Sequence, residues 1–370
     1  MSVPRCRHKA PQRGGAERRV RGARSCSLVS ATLELLPRLA ALRALVGRTP
    51  LVEIRYRCDG APRRVYAKYE SRNMTGSIKD RMACHILAEA YARGELRPGD
   101  TIVEASSGNT GIAFAALGRA LGHPVRIFMP DWMSSERRAL IESFGAEVVP
   151  VSAVAGGFVN AVARARACAA DDPRVFSPRQ FENDANARAH ASSTGPEILL
   201  QLESFGRRPR AFVAGVGTGG TVMGTGRALR AAFPEVRVHP LEPANSPTLR
   251  TGHKQGTHRI QGISDDFVPP VVDLAWLDPV VDVWDGDAIL MAQRLAQRLG
   301  LAVGISSGAN VVGAMQLAEE LAARDDEGAV VTVLPDSNKK YLSTDLCRVE
   351  VVREGYWTPR IELESFDAVP

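Results

Sequence analysis

The sequence predicts an α/β protein whose sheets are mainly parallel and covered by helices on both faces. Three observations carry this expectation. Apolar runs of strand length alternate with segments of helical period from about Val65 to Leu334. Three of those runs, Thr101 to Val103, Val213 to Val216 and Val330 to Leu334, lead directly into loops of Ser, Gly, Asn, Thr or Asp. The length, 370 residues with 45% apolar and 24% charged side chains, suits one large two-lobed body or two ordinary globular domains.

Residues 1–30 are rich in Arg, Gly and Ser and have no apolar period, which predicts a disordered tail. They hold eight Arg/Lys against the single Glu17, so the net charge of +6 leaves the rest of the chain near −1. A basic tail without interleaved aromatics is no argument for nucleic-acid binding. An Arg-rich, acid-poor start is shared with organellar transit peptides. Here Pro, paired Gly and the Arg spacing leave no clear amphipathic helix, which favours a solvated tail or a mis-assigned upstream start. Ala31 to Val46 reads as an amphipathic helix, interrupted by Glu34, Pro37, Arg38 and Arg43. No apolar stretch approaches the roughly 20 residues that span a bilayer. The six cysteines are scattered without a CxxC pair, which argues against a zinc site or disulfide framework and for reduced thiols in a cytoplasm.

Val52 to Ile54 and Val65 to Lys68 are short strands joined by the Cys58 to Pro62 turn. A helical pattern starts near Arg81, with Met82, Ile86, Leu87, Ala90 and Tyr91 at three- and four-residue spacing. Strands follow at Thr101 to Val103, Val125 to Met129 and Glu147 to Val151, with helices around Ala139 to Phe144 and Phe158 to Ala169. Ile198 to Leu202 is helical, and Ala211 to Gly215 and Val236 to Leu241 are strands. Residues 243–272 form a long loop-rich excursion, a length that in a compact domain points to function. A strand at Val280 to Trp284, a helix at Asp287 to Leu299, a helix opened by Gly304 to Asn310 and the strand Val330 to Leu334 close the pattern. Beyond about Tyr356 a peripheral tail is expected.

The chemistry gathers at the loops. In Thr75-Gly76-Ser77-Ile78-Lys79-Asp80-Arg81 a turn runs into a helix and places Lys79 at the helix's positive end. A cation is disfavoured there, which favours the neutral amine that attacks a carbonyl to form a Schiff base. Glu104-Ala105-Ser106-Ser107-Gly108-Asn109-Thr110-Gly111 presents hydroxyls and N–H groups to one point, an arrangement suited to a carboxylate. Gly217-Thr218-Gly219-Gly220-Thr221 follows a strand and precedes a helix, so its backbone can approach a phosphate closely. It lacks the GxGxxG spacing and lies too late in the chain for a dinucleotide-binding turn. Pro335-Asp336-Ser337 ends the last core strand.

In this order the loops resemble the β-family of pyridoxal-phosphate enzymes (fold type II, the tryptophan synthase β-like architecture). The similarity runs from Leu45-Val46-Gly47-Arg48-Thr49-Pro50 to Tyr341-Leu342-Ser343-Thr344 and is greatest to the cysteine synthase (O-acetylserine sulfhydrylase) branch, with cystathionine β-synthase a cousin. The resemblance implies a catalytic domain over residues 31–358, with a smaller lobe near 83–186, a larger lobe of 45–82 plus 187–355, and a peripheral tail at 359–370. It makes Lys79 the Schiff-base lysine and the general base for the substrate's Cα proton. Gly217, Thr218, Gly219, Gly220 and Thr221 become the phosphate cradle of pyridoxal 5′-phosphate. Asn109 then bonds the ring oxygen and Ser337 faces the pyridine nitrogen. Ser106, Ser107, Gly108, Asn109, Thr110, Gln180 and Gly262 form the substrate site, and no metal is implied. Asp80 and Asp336 are expected to be structural.

The implied reaction is a β-replacement through an aminoacrylate, leading with O-acetylserine plus sulfide to cysteine plus acetate. Homocysteine (cystathionine formation) and amine nucleophiles (diaminopropionate-type biosynthesis) are the alternatives, and a non-catalytic scaffold is the alternative of another class. A homodimer and binding of a serine acetyltransferase C-terminal peptide in the cleft are also implied. Two departures bear on the substrate: Asn338-Lys339-Lys340 replaces the usual Gly and Glu after Pro-Asp-Ser, and Gln261-Gly262-Ile263 continues as Ser264-Asp265-Asp266-Phe267 instead of small neutral residues. The two acids are expected as solvated loop residues that at most disfavour anionic nucleophiles by a charge screened within about 10 Å.

Overall fold

The computed structural model describes residues 37–370 apart from 325 and 327. The predicted tail 1–30 therefore lies outside the described residues, as does the start of the predicted helix, whose described part (α1) is residues 37–44. β1 (Leu51–Cys58) and β2 (Ala61–Tyr69) pair antiparallel around Asp59 and Gly60, with φ of 48° and 84°. Positive φ at both central positions is what a two-residue hairpin turn needs to match strand twist.

The chain then crosses to a second sheet through α2 (Lys79–Arg93). There β3 (Thr101–Ala105), α3 (Asn109–Ala120), β4 (Val125–Pro130), α4 (Ser135–Ser143), β5 (Glu147–Val151), α5 (Gly157–Asp171) and β6 (Val175–Phe176) alternate. α6 (Ala185–Ser192) and α7 (Thr194–Ser204) return it to the first sheet. That sheet is completed by β7 (Pro209–Gly215), α8 (Gly220–Ala232), β8 (Arg237–Pro243), α9 (Thr248–Thr251), β9 (Val281–Val283), α10 (Asp285–Leu299), α11 (Ile305–Ala322), β10 (Ala329–Leu334) and β11 (Ile361–Val369). The larger sheet has the order β11-β1-β2-β10-β7-β8-β9 and the smaller β5-β4-β3-β6. The smaller is parallel throughout; in the larger, β2 to β9 are parallel and only β1 runs antiparallel to both its neighbours.

Strands covered on both faces read as unbroken apolar runs, and β10, every residue buried, is the example. Along β7, Ala211 and Val213 join one core while Phe212 and Ala214 join another on the opposite face. Thr332 fits because its hydroxyl donates to the Val213 carbonyl at 2.7 Å, leaving no buried polar atom unmet. A separate core under the smaller sheet takes Leu39 and Leu42 of α1, Met82, Ile86 and Leu87 of α2, and Ile112 and Phe114 of α3.

Three elements differ from the sequence reading. The α2 helix starts at Lys79 itself, which moves the lysine from the loop onto the first helical residue. Residues 185–204 hold two helices rather than one short segment. The C-terminal stretch expected as a peripheral tail contains β11, which extends the larger sheet by pairing Ile361 to Val369 with Cys58 to Leu51. Its partner lies about three hundred residues earlier, so no turn or neighbouring strand announces it, and its outer positions are charged as an edge strand's commonly are.

Candidate active site

The C-terminal ends of β3, β7 and β10 open into one cleft between the sheets, the usual place for a ligand in an open α/β sheet. Lys79 reaches it from the first turn of α2. Burial pushes its ammonium below the usual lysine range, opposed by the Asp265 and Asp336 carboxylates. The side chain is only partly covered by protein atoms because it faces the cleft.

The turn that presents Lys79 is clamped from both sides. Ile78 N donates to Pro335 O at 2.9 Å, tying the turn to the end of β10. Asp80, fully buried, accepts from Thr75 N at 2.6 Å and from the Thr75 hydroxyl, and burial pushes its carboxyl up to about 6. Arg81 bonds Glu70 at 2.6 and 2.8 Å and Glu197 at 2.7 Å, while Lys68 reaches Glu197 at 2.8 Å. Asp80 thus has the structural role expected of it.

Opposite, the β3–α3 loop is held open by its own hydroxyls. Ser106 Oγ accepts from Gly108 N at 3.0 Å and Gly111 N at 2.9 Å, so it caps α3 while lining the cleft. Thr110 Oγ1 donates to Gln180 Oε1 at 2.6 Å, and Gln180 Nε2 donates to Ala105 O at 2.8 Å. This places Gln180 beside a loop seventy residues earlier. Buried Glu104 anchors the same corner by accepting from Ala105 N and Gln180 N, and burial pushes its carboxyl up to about 7.

The glycine loop permits no side chains. A Cβ on Gly217 would stand 2.3 Å from Gly262 O, one on Gly219 2.2 Å from Val272 Cγ2, and one on Gly220 1.9 Å from Asn186 Oδ1. Asn186 Nδ2 in turn donates to Thr218 Oγ1 at 2.8 Å. The loop ends at the N-terminus of the 13-residue α8, so its free N–H groups and the helix dipole favour an anion.

Ser107, Gly108, Asn109, Thr110, Gln180, Gly262 and most of the glycine loop line the cleft with Lys79. Ser337 does not: it pairs with Val303 outside the lining, one residue beyond Asp336. Asp336 accepts from Asn109 Nδ2 and Tyr341 OH at 2.7 Å each and leaves Oδ1 buried without a partner.

Two residues lining the cleft and one behind it escaped the sequence reading as parts of the site. Arg137, 1% exposed, lines it from α4, donates to Ser107 O at 3.4 Å and to Gln261 Oε1, and lies 4.6 Å over the Tyr341 ring. One of two adjacent arginines in a charged helix carries no signal of such burial. Lys340, noted only as part of a departure, is buried, and its Nζ donates to Asn109 Oδ1 at 2.8 Å. Asp265, expected in solvent, lines the cleft instead, and burial together with Asp266 pushes its carboxyl up to about 7. Ser264 turns the chain there with φ 53°, its hydroxyl bonded to Ser246 O and Thr248 Oγ1 at 3.0 Å each. That turn sends Asp265 inward, while Asp266, on the outside, pairs with Lys254 at 2.6 Å as a rim charge should.

Comparison with known proteins settles the family. Residues 42–336 match the pyridoxal-phosphate dependent enzymes. The chain belongs to that family. It is 41% identical over 304 residues to a cysteine synthase of Staphylococcus aureus, covering 82% of this chain and 95% of that protein. It is 50% identical to a hydrogen sulfide-producing enzyme of Fusobacterium nucleatum, with a TM-score of 0.87 over 90% of this chain and 99% of the other. An aspartate-to-asparagine mutant of that enzyme, solved with an α-aminoacrylate intermediate, aligns with a TM-score of 0.86 at 51% identity over 88% and 97% of the two chains. The protein is thus a fold type II enzyme of the cysteine synthase type, dependent on pyridoxal phosphate.

The cleft of this pyridoxal-phosphate enzyme fits its cofactor. Three glycines clear the approach to a helix N-terminus for the phosphate, and the Lys79 amine, its ammonium pushed below the usual lysine range, faces the same cleft. Asn109 lines the same cleft, its amide oriented by Lys340 at Oδ1 and by Asp336 at Nδ2. Among the described residues no cluster of His, Cys, Asp and Glu could hold a metal, and no helix is long and apolar enough to cross a membrane.

Proposed function

We propose that this enzyme performs β-replacement on an amino acid, taking O-acetylserine and sulfide to cysteine and acetate. The observation that carries the reading is Lys79 facing the Ser106–Thr110 loop across the cleft, in a chain 41% identical to a cysteine synthase. The substrate carboxylate would lie against Ser107, Thr110 and Gln180, which line the cleft together opposite Lys79. Pyridoxal phosphate, when bound, withdraws electrons from the substrate's Cα–H bond. Lys79, freed by the incoming substrate amine, takes the Cα proton and returns it after the nucleophile has added at Cβ. Ser337 is proposed to face the pyridine nitrogen once the cofactor is in place, a neutral partner that suits elimination over transamination.

A second reading has support of its own. With cysteine as donor the same cycle releases sulfide, which fits the 50% identity to a hydrogen sulfide-producing enzyme and the acid facing Lys79. Homocysteine and amine acceptors, and a scaffold role, have no such observation behind them. A homodimer and capture of a serine acetyltransferase C-terminal peptide complete the proposal by family resemblance, and a cytoplasmic location by the scattered cysteines.

A spectral titration tests it. The cofactor band of the purified holoenzyme should shift on adding the true donor among O-acetylserine, O-phosphoserine, serine and cysteine. Fastest recovery with sulfide supports cysteine synthase; turnover of cysteine with sulfide release supports the second reading. Lys79→Ala should abolish turnover with every pair, and retained turnover would sink the mechanism.

A further inference from the structure

The cleft holds one cation that the reaction just described does not use. Arg137 lines it from α4, 1% exposed, and bonds the β3–α3 loop. We propose that Arg137 is the counter-charge for the substrate's carboxylate. It is a positioning residue that acts through the Ser107–Gly108 backbone and makes the site select amino acids with a free carboxylate. The inference rests on the carboxylate placement of the β-replacement reading and deepens it, because every side chain so far assigned to that anion is neutral.

Another arginine of the same chain shows what sets this one apart. Arg81 and Arg137 are each the third residue of a helix, α2 and α4. A cation in the first turn meets the positive end of the helix dipole, and burial adds the cost of lost hydration. Arg81, 3% exposed, offsets both with two carboxylates, Glu70 at 2.6 Å and Glu197 at 2.7 Å. Arg137 has no carboxylate within ion-pair reach among the described residues. Its neighbour Glu136 accepts instead from Ser343 N and the Ser343 hydroxyl at 2.7 Å each. Asp336, bonded to the Tyr341 hydroxyl, acts on the Lys340 ammonium. What Arg137 has is Ser107 O at 3.4 Å, Gln261 Oε1, and the Tyr341 ring centred 4.6 Å from its guanidinium carbon. These partners solvate the charge without neutralising it, and Nε is buried with no partner at all. An unpaired buried ion is costly, so one that lines a cleft points to an anion brought by the ligand.

The β3–α3 loop is where that anion belongs. A Cβ on Gly108 would stand 2.5 Å from Arg137 Cδ and 2.7 Å from Nε, so glycine is what lets the arginine lie against the loop. Ser106, Ser107, Asn109, Thr110 and Gln180 line the cleft beside it and carry no charge. The acid that anchors this corner, buried Glu104, opposes a second anion. Neutral donors can orient a carboxylate there, while a cation in a site of low dielectric supplies the net attraction. Lys79 is committed to the cofactor, which leaves Arg137. Its Nη1 is shared between Ser107 O and Gln261 Oε1, so the same charge ties the carboxylate loop to the 261–267 loop.

The test titrates holoenzyme with L-alanine and L-alaninamide, which differ at the carboxylate, and follows the cofactor band. Neither probe has a group to lose from Cβ, so the band reads binding and no departing anion contributes. The ratio of the two dissociation constants is compared between enzymes, which cancels the difference in amine basicity. Wild type should prefer alanine by about tenfold or more. Arg137→Met should cut that preference about tenfold by weakening alanine, with alaninamide changed less than about threefold. Arg137→Gln, which can still donate to Ser107 O but has no charge, should lose it equally and decides the matter if the Met variant does not fold. Arg137→Lys should restore most of it. Equal weakening of both probes, the mark of a loop merely loosened, overturns the proposal, and so does a preference that survives in the Gln variant. A wild type that binds the two probes alike removes the carboxylate placement itself, whereas a preference shared by wild type and every variant removes Arg137 alone.

Discussion

Lys340 Nζ stands 2.8 Å from Asn109 Oδ1, and the other end of the same amide, Nδ2, donates to Asp336 Oδ2 at 2.7 Å. An ammonium only donates, so it decides which way the amide faces. The Asn109 amide is thereby fixed at both ends, its donor end on Asp336, without reliance on the cofactor. Burial holds the Lys340 ammonium below its ordinary range, while Asp336 and Asp80 pull it back up.

Lys340→Met should therefore loosen Asn109 and weaken pyridoxal-phosphate binding about tenfold, or about 1.4 kcal/mol. Lys340→Arg, which can still donate to Oδ1, should lose much less. Cofactor affinity by fluorescence quenching measures both, and equal affinity in wild type and the Met variant would remove Lys340 from the site.

Behind the Lys79 turn, Glu70 is fully buried and accepts from Arg81, Thr49 and Asn73. Breaking a buried pair by removing one partner costs about 3–5 kcal/mol because the other charge is left uncompensated. Glu70→Ala should lower the urea midpoint by a corresponding amount. A loss under about 1 kcal/mol would mean that Glu197 alone satisfies Arg81.

Gly217→Ala places a methyl 2.3 Å from Gly262 O, a contact with backbone that no rotamer change relieves. The 261–267 loop must shift, so cofactor affinity and nucleophile choice should change together. We expect at least a tenfold loss of cofactor affinity with the circular dichroism spectrum retained. Unchanged binding would show that the loop yields easily.

Asp265 also makes a prediction about stability. Its carboxyl is raised from the usual 3.8 to about 7, so the folded state binds that proton more tightly than the unfolded chain does. Its contribution is then most favourable below pH 4 and declines as pH rises toward 7. Full burial would set the cost above pH 7 at about 4 kcal/mol, and water in the cleft reduces this to about 2 kcal/mol. Asp265→Asn should stabilise the protein at pH 8 and have little effect at pH 4. Denaturant melts at the two pH values check it, and equal effects at both would place the carboxylate in solvent.

The architecture and the cofactor loops were legible in the sequence because they depend on local rules. β10 reads as an unbroken apolar run because helices cover both faces, and Gly217 to Thr221 reads as a close-approach loop because only glycine tolerates such contacts. Lys79, which the structure places in the cleft, stood out from the turn-to-helix transition at its own position. Each of these signals occupies fewer than about ten consecutive residues, the range over which strand period and turn chemistry operate.

The rest depended on contacts between distant parts of the chain. Gln180 reaches Thr110 across seventy residues, Lys340 reaches Asn109 across 231, and β11 finds β1 at the sheet edge. Asp265 and Asp266 are chemically identical neighbours, and no local rule says which faces the cleft. The left-handed turn at Ser264 and the pull of Lys254 make that choice. The sequence by itself determined the family and the cofactor, and it put Lys79 forward as the amine that would hold it. Which charges surround that amine, and so which nucleophiles it can serve, was decided only by tertiary structure, because burial and charge pairing are properties of the folded neighbourhood rather than of the residue.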